Sequence, residues 1–402
     1  RAIEAVLVDS GVLAAEPGPT EIPGAQTDIP AIARHRRENN FDALRLLAAL
    51  AVILSHAFLI AQGTEKNDPL NWLTGNQCML GLTGVFVFFA VSGFLVTQSF
   101  EQTRSPLRYL MKRVLRIFPA YLVCLVLTAF VLGPIVTTLS LGDYLHRPEP
   151  YRYLFYNSFF DIRVHELPGV MFVDNPVGLE VNGSLWSLGC EFDMYLMVLV
   201  LGLLRLIRWP VCVALLALGM ACIAFPDTLG ALGGWGWTLS FFAIGMVLYK
   251  LRDTRIFNGW LALLAFAGLA LSIPLKQFIL LFPLCGCYLA LYIALHPKLP
   301  VIRATRFGDL SYGLYIFGWP SEQIAIWLLH GHATWWQVFI LATVLAGGLA
   351  FLSWHLVEKR ALRLKPRNPW QSGSTPEIMP GTWPVKSLSA ATLPSNTGRP
   401  SA

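Results

Sequence analysis

Apolar runs recur along the chain from residue 41 to residue 357, separated by short polar, basic or proline-bearing stretches. A helix crossing the hydrocarbon of a bilayer needs about 20 apolar residues. The pattern predicts ten such helices, over 42–62, 79–99, 117–138, 185–207, 209–225, 235–250, 259–274, 277–295, 309–330 and 335–357. The fifth to eighth are the shortest. Pro274 and Gly286 interrupt that region, a kind of break a bundle tolerates because neighbouring groups re-satisfy the freed backbone. The expected fold class is all-α: a polytopic transmembrane helical bundle of about ten spans, filling residues 38–365. Residues 1–37 lack a clear period and contain Pro17, Pro19, Pro23 and Pro30. They read as a disordered cytoplasmic N-terminal segment, without the basic start and apolar core of a signal peptide. Residues 366–402 turn to Pro, Ser and Thr and read as a disordered cytoplasmic tail.

Composition agrees with the pattern. The chain is 55% hydrophobic and 13% charged, against about 25% charged in a soluble domain. Its mean hydropathy is +0.56, so apolar residues must face lipid as well as a core, and the bilayer is the first expected partner. The net charge of +6 would suggest nucleic acid in a soluble chain. Here the basic residues cluster between apolar runs, and no nucleic-acid partner is expected. Arg34, Arg36 and Arg37 precede the first helix; Arg104, Arg108, Lys112, Arg113 and Arg116 are expected between the second and third. Arg205 and Arg208 follow the fourth, Lys250, Arg252 and Arg255 the sixth, Lys298, Arg303 and Arg306 the eighth, and Lys359, Arg360, Arg363, Lys365 and Arg367 the tenth. Ten spans put all these clusters on one side, and the excess of Lys and Arg in cytoplasmic loops then places both termini in the cytoplasm. The seven cysteines include no CxxC pair and mostly lie within apolar runs. They indicate neither a disulfide framework nor a zinc site, and no metal is expected.

Three polar residues share a stripe on the first helix, NNFDALRLLAALAVILSHAF: Asp42, Arg45 and His56. Arg45 and His56 are eleven residues apart, nearly the same face at 3.6 residues per turn, and about 16 Å apart along the axis. An arginine inside a span is costly and usually faces a cavity or a partner. The plainer alternative is that Asp42 and Arg45 pair at the interface and His56 is an ordinary buried histidine. An imidazole with a reference pKa of about 6.5 is suited to take a proton from a hydroxyl. Arg113 and Arg116 share a helical face in KRVLRIFPAY, and a planar guanidinium suits phosphate; ordinary topology charge is the competing reading. In NGSLWSLGCEFDMYL, Glu191 and Asp193 enter an apolar run, and Glu191 is a candidate either to orient an imidazole or to bind an acceptor hydroxyl. In FFAVSGFL, Ser92 and Gly93 reduce the bulk of the second helix and permit close packing. Asp309, Ser311, Tyr312, Tyr315 and Trp319 are candidates for the same cavity, or else caps and interface anchors. The loop over 139–184 is rich in Tyr and Phe, suited to the interface plane or to carbohydrate.

Taken together these strings resemble acyltransferase family 3, membrane proteins that acylate surface polysaccharides and related glycans. The marks are Arg45 and His56 in NNFDALRLLAALAVILSH, then GVFVFFAVSGFL, KRVLRIFPAY, NGSLWSLGCEFDMYL, GDLSYGLYIFGWP and a closing helix with Glu358, over roughly residues 38 to 365. The Gly189–Cys190 pair departs from the resemblance, since Pro is common there before the family's Glu. The resemblance implies a membrane O-acyltransferase, with acetyl-CoA (or another short acyl-CoA) as donor substrate and no bound cofactor. It implies as acceptor a hydroxyl of a glycan or lipid-linked sugar, and as location the inner membrane of a bacterium. His56, Arg45 and Glu191 are the expected catalytic residues. Arg113, Arg116, Asp42, Trp186 and Ser92 are the expected substrate-binding residues. A transporter or flippase of lipid-linked glycans is the alternative, since it too needs intramembrane charge, but the chain shows no paired inverted halves. A receptor or scaffold would leave the register of Arg45 and His56 unexplained.

Overall fold

The computed structural model describes residues 39–365, apart from 104, 162–163, 170–171, 173–174, 178–179 and 230–231. The terminal segments assigned to disorder, 1–37 and 366–402, lie outside the described residues, as do Arg34, Arg36, Arg37, Arg104 and Arg367.

Ten principal helices follow one another, and they match the ten apolar runs. They are α1 (Phe41–Gln62), α2 (Leu80–Gln102), α3 (Pro106–Leu127), α4 (Trp186–Leu203), α5 (Trp209–Ala224), α6 (Gly233–Lys250), α7 (Gly259–Ser272), α8 (Gly286–Leu295), α9 (Ser311–Leu328) and α10 (Trp335–Ser353). Among the described residues, five helical stretches are long and apolar enough to cross a membrane: Phe41–Gln62, Leu80–Gln102, Pro106–Val136, Gly183–Leu203 and Trp335–Arg363. Among the described residues there is no strand. Helices α7 and α10 turn large apolar side chains outward, among them Leu264, Phe266, Ile340 and Val344. Such surface is rare on a soluble protein and suits lipid contact. The chain is a multi-pass helical membrane protein.

Two boundaries differ from the expectation, each for a local reason. Helix α3 starts at Pro106, so Arg108, Lys112, Arg113 and Arg116 lie on a helix and not in a loop. Ser105 caps its N-terminus and Pro106 occupies the first turn, where its missing N–H costs nothing. Four basic residues lower the mean hydropathy there and mask this start signal. The run at 277–295 is split into Phe278–Leu281 and Gly286–Leu295; Pro283, which has no N–H to donate, falls in the gap.

Packing brings α1, α2 and α9 to the centre. Helix α6 lies against α2 and α5, α9 lies against α10 and α1, and α1 lies against α2. The α2–α6 crossing depends on glycine: a Cβ on Gly93 would stand 2.0 Å from the Phe242 carbonyl oxygen, and one on Gly245 2.1 Å from that of Ala90. This is the close approach expected of the small residues in FFAVSGFL. Proline sets a second junction. Pro320 lies inside α9, which frees the Ile316 carbonyl four residues earlier. Asn182 Nδ2 donates to that oxygen at 2.9 Å, pinning the chain just before α4 against α9.

The loop over 139–184 is docked rather than free. Tyr144 donates to the Ala129 carbonyl at 2.7 Å, and Tyr121 donates to that of Asn157 at 2.7 Å. The Ala129 carbonyl belongs to a π-helical turn, Thr128–Leu132, that continues α3. A second π-helical turn, Trp354–Glu358, continues α10. Such turns re-aim side chains and recur at functional sites.

Candidate active site

Helices α1, α2, α3, α4 and α9 line a partly open cavity whose polar lining includes Arg45, Arg113, Arg116, Glu191, Ser92 and Tyr195. Its apolar lining comes mainly from α2, including Val85, Phe88 and Leu95.

Two of the three arginines are paired. Arg116 forms an ion pair with Asp309 and stands 3.7 Å from Glu358 Oε2. Arg45 lies 3.5 Å from the same Asp309 oxygen. Ser311 Oγ donates to the other Asp309 oxygen at 2.7 Å. Burial by itself would push the Asp309 carboxyl up, but Arg116 and Arg45 outweigh it and hold it well below the usual carboxylate range. The π-helical turn of α10 carries Glu358 to this cluster, where Ser353 Oγ donates to it at 3.1 Å.

Arg113 differs. Its Nη2 donates to Ser99 Oγ at 3.1 Å, and its guanidinium lies 5.7 Å from the Tyr195 ring centre. Its Nε is buried with no hydrogen-bond partner. Among the described residues no carboxylate lies within ion-pair distance of it. A half-buried guanidinium whose buried Nε–H has no acceptor has the donor chemistry an anion needs. Lys365 lies in the same field. Burial first, and then repulsion from Arg113, Arg116 and Lys112, lowers its ammonium to about 8.

Across the cavity, Ser92 donates to Glu191 Oε1 at 3.0 Å and Tyr195 donates to the same oxygen at 2.5 Å. Ser187 and Tyr315 share a hydrogen bond of 2.6 Å. These hydroxyls and one carboxylate could hold a polar arm that passes between them.

His56 stands beyond the far end of this cavity and is not among its lining residues. Gly81 abuts Ser55, and Gly84 abuts Ala48 and Val52, so α1 and α2 run antiparallel and the Val85 end of the cavity is the one nearest His56. Ile53 is fully buried between the two levels, against Gly318 of α9. The imidazole is packed edge-on to Trp319, with centroids 4.8 Å apart and planes at 78°. Its Nδ1 is 3.4 Å from Glu322 Oε2. Trp319 Nε1 donates to the Glu180 carbonyl at 2.9 Å. Glu180 and Gly183 line a second cavity, together with Tyr153, Asn157, His165 and Trp186. Ser55, beside His56 in sequence, turns away and donates to the buried Asp68 at 2.5 Å.

Of the residues expected from the sequence, the structure gathers Arg45, Arg113, Arg116, Glu191 and Ser92 in one cavity. It separates three others, His56, Asp42 and Trp186. Asp42 is exposed and lines a different cleft with His296 and Arg303; Arg45 pairs with Asp309 rather than with Asp42. Trp186 lines the second cavity rather than the first. Glu191 is bonded to Ser92 and Tyr195, and the carboxylate at the imidazole is Glu322. Sequence reasoning passed over Glu322, whose one visible signal was an acid inside the apolar helix GWPSEQIAIWL.

A family model described as an acyltransferase domain matches residues 38–355. An O-acetyl transferase of Shigella phage Sf6 is 28% identical over 81% of this chain and 96% of its own length. Nodulation protein 10 of Rhizobium leguminosarum bv. viciae is 32% identical over 81% of this chain and 94% of its own length. A putative membrane-bound transacylase of Komagataeibacter xylinus is 25% identical over 83% of this chain and 85% of its own length. No solved structure matches the chain. A match spanning the whole bundle, from the first residue before α1 to the π-helical turn of α10, means that this chain belongs to acyltransferase family 3 and is a membrane O-acyltransferase.

Proposed function

We propose that this O-acyltransferase takes an acetyl or other short acyl group from acyl-CoA on the cytoplasmic side of a bacterial inner membrane and passes it to a hydroxyl of a surface glycan or glycolipid. The observation that carries the donor reading is Arg113, a half-buried guanidinium whose buried Nε has no hydrogen-bond partner and which has no carboxylate within ion-pair distance among the described residues. The phosphates of acyl-CoA supply what it lacks. Lys365 and Lys112 extend the same positive field, and in a low-dielectric site such a field is strong. Arg45 and Arg116 are already balanced by Asp309 and Glu358, and in this reading they shape the site more than they attract the donor.

The slender acyl-bearing arm then runs along the hydroxyls of Ser92, Tyr195 and Tyr315 toward the Val85 end. Ile53, Val85 and Tyr315 shift to let the thioester reach His56. The acceptor enters by the second cavity, where Trp186, His165 and Glu180 offer an aromatic face and polar groups of the kind sugars use. His56 Nε2 removes the proton of the attacking hydroxyl, and the oxygen forms a bond to the thioester carbonyl carbon. The tetrahedral intermediate collapses, the carbon–sulfur bond breaks, and the departing thiolate takes the proton back from the imidazolium. Direct transfer is favoured over an acyl-enzyme because Ser55, the nearest hydroxyl in sequence, is committed to Asp68. The orientation is the one the positive-inside rule gives for ten spans; Lys250, ending α6, pairs with Glu101, near the end of α2, at 2.6 Å.

The test is transfer of label from acetyl-CoA to glycan in membranes carrying the chain. The wild type is expected to transfer label, and His56→Ala is expected to transfer none while still inserting in the membrane. Full activity in His56→Ala removes the base.

A further inference from the structure

Glu322 is fully buried in α9, and neither of its carboxyl oxygens has a hydrogen-bond partner. A buried carboxyl without a partner is expensive. The one cationic or potentially cationic group within ion-pair distance among the described residues is the imidazole of His56, 3.4 Å away at Nδ1. Its neighbours are occupied elsewhere. Gln323 donates to the Val177 and Glu180 carbonyls and accepts from Asn175. Ser55 donates to Asp68. Trp319 precedes Glu322 by three residues, so both project from one face of α9, and the imidazole is held between the indole edge and the carboxyl.

We infer that Glu322 is the positioning residue for His56, fixing which ring nitrogen meets the acceptor; this rests on His56 being the base. With Nδ1 turned to the carboxylate, the proton of the neutral ring sits on Nδ1. The lone pair is then on Nε2, on the opposite edge of the ring. When Nε2 takes the hydroxyl proton, the new imidazolium already faces a carboxylate. The 3.4 Å contact is longer and less aligned than a hydrogen bond, and both nitrogen atom and carboxyl oxygen are otherwise unsatisfied. Contacts of this kind tighten when substrates fill the site. Glu191, the other carboxylate the sequence offers, already accepts from Ser92 and Tyr195.

The experiment uses the full chain in membranes that contain its acceptor, with labelled acetyl-CoA as the varied substrate. Glu322→Gln is expected to lower kcat about 10²-fold, within the range ascribed to a positioned general base, with KM for acetyl-CoA unchanged. Glu322→Asp is expected to recover part of that loss. Full kcat in Glu322→Gln with an inactive His56→Ala overturns the positioning role and leaves the base intact. Full activity in His56→Ala overturns the base itself. Failure of both Glu322→Gln and Glu322→Asp to accumulate in the membrane also overturns the inference, since the carboxyl is then a requirement of folding.

Discussion

At the scale of single residues, the separation of paired from unpaired charge decides which groups await a ligand. Arg45 and Arg116 meet Asp309 and Glu358, whereas Arg113 donates to Ser99 and leaves its buried Nε unused. Arg113→Ala is expected to raise KM for acetyl-CoA about 10- to 100-fold, since a hydrogen bond to a charged group contributes about 1.5–3 kcal/mol. Arg113→Lys is expected to recover only part of it, having no planar fork. Initial rates at varied acetyl-CoA measure both. Lys365 gives a pH signature. Its ammonium loses its proton near 8 in the free protein, and only the protonated form attracts phosphate. Affinity for CoA is therefore expected to be highest below pH 8 and to fall as the pH rises through it. Lys365→Met is expected to flatten that fall, and equilibrium binding of CoA from pH 7 to 9 measures it.

At the scale of elements, most of the bundle was legible because lipid imposes a coarse rule: a span must be a long apolar helix. The ten runs became ten helices for that reason. The start of α3 was obscured because hydropathy averages over Arg108, Lys112, Arg113 and Arg116, although Ser105 and Pro106 carried the start signal. Glu322 was missed for a different reason. Its value depends on which helix packs on α1, and helix pairing leaves no trace in a single sequence. The two π-helical turns were equally invisible, yet one of them carries Glu358 to Arg116. Element junctions also yield stability predictions. Asn182→Ala removes the stronger donor to the Ile316 carbonyl freed by Pro320, leaving the weak Cys124 Sγ donor at 3.4 Å, and is expected to cost about 0.5–1.5 kcal/mol. Gly93→Ala forces a Cβ against the Phe242 carbonyl oxygen and is expected to cost about 1–3 kcal/mol by overpacking. Thermal unfolding of the detergent-solubilised protein measures both, and an unchanged midpoint for Gly93→Ala would show that α2 and α6 do not approach as described.

At the scale of the whole molecule, two cavities with different linings serve the proposed reaction. One is lined by arginines and hydroxyls, the other by Trp186, His165 and Glu180. His56 stands between them with Trp319 at its edge and Glu322 at its Nδ1. Charged donor and polyhydroxyl acceptor need different surroundings, and a single pocket would serve both poorly. In the proposed reaction, donor and acceptor bind on different sides and meet at the His56 imidazole. Ile53 packs on Gly318 at this level, fully buried.

The most direct measurement of this arrangement is a structure with an unreactive thioether analogue of acetyl-CoA bound. The account predicts phosphates at Arg113 and Lys365, the arm along Ser92 and Tyr315, and the sulfur beside His56 with Ile53 displaced. A bound analogue whose sulfur stops among Ser92, Glu191 and Tyr195, with Ile53 still packed on Gly318, would contradict it.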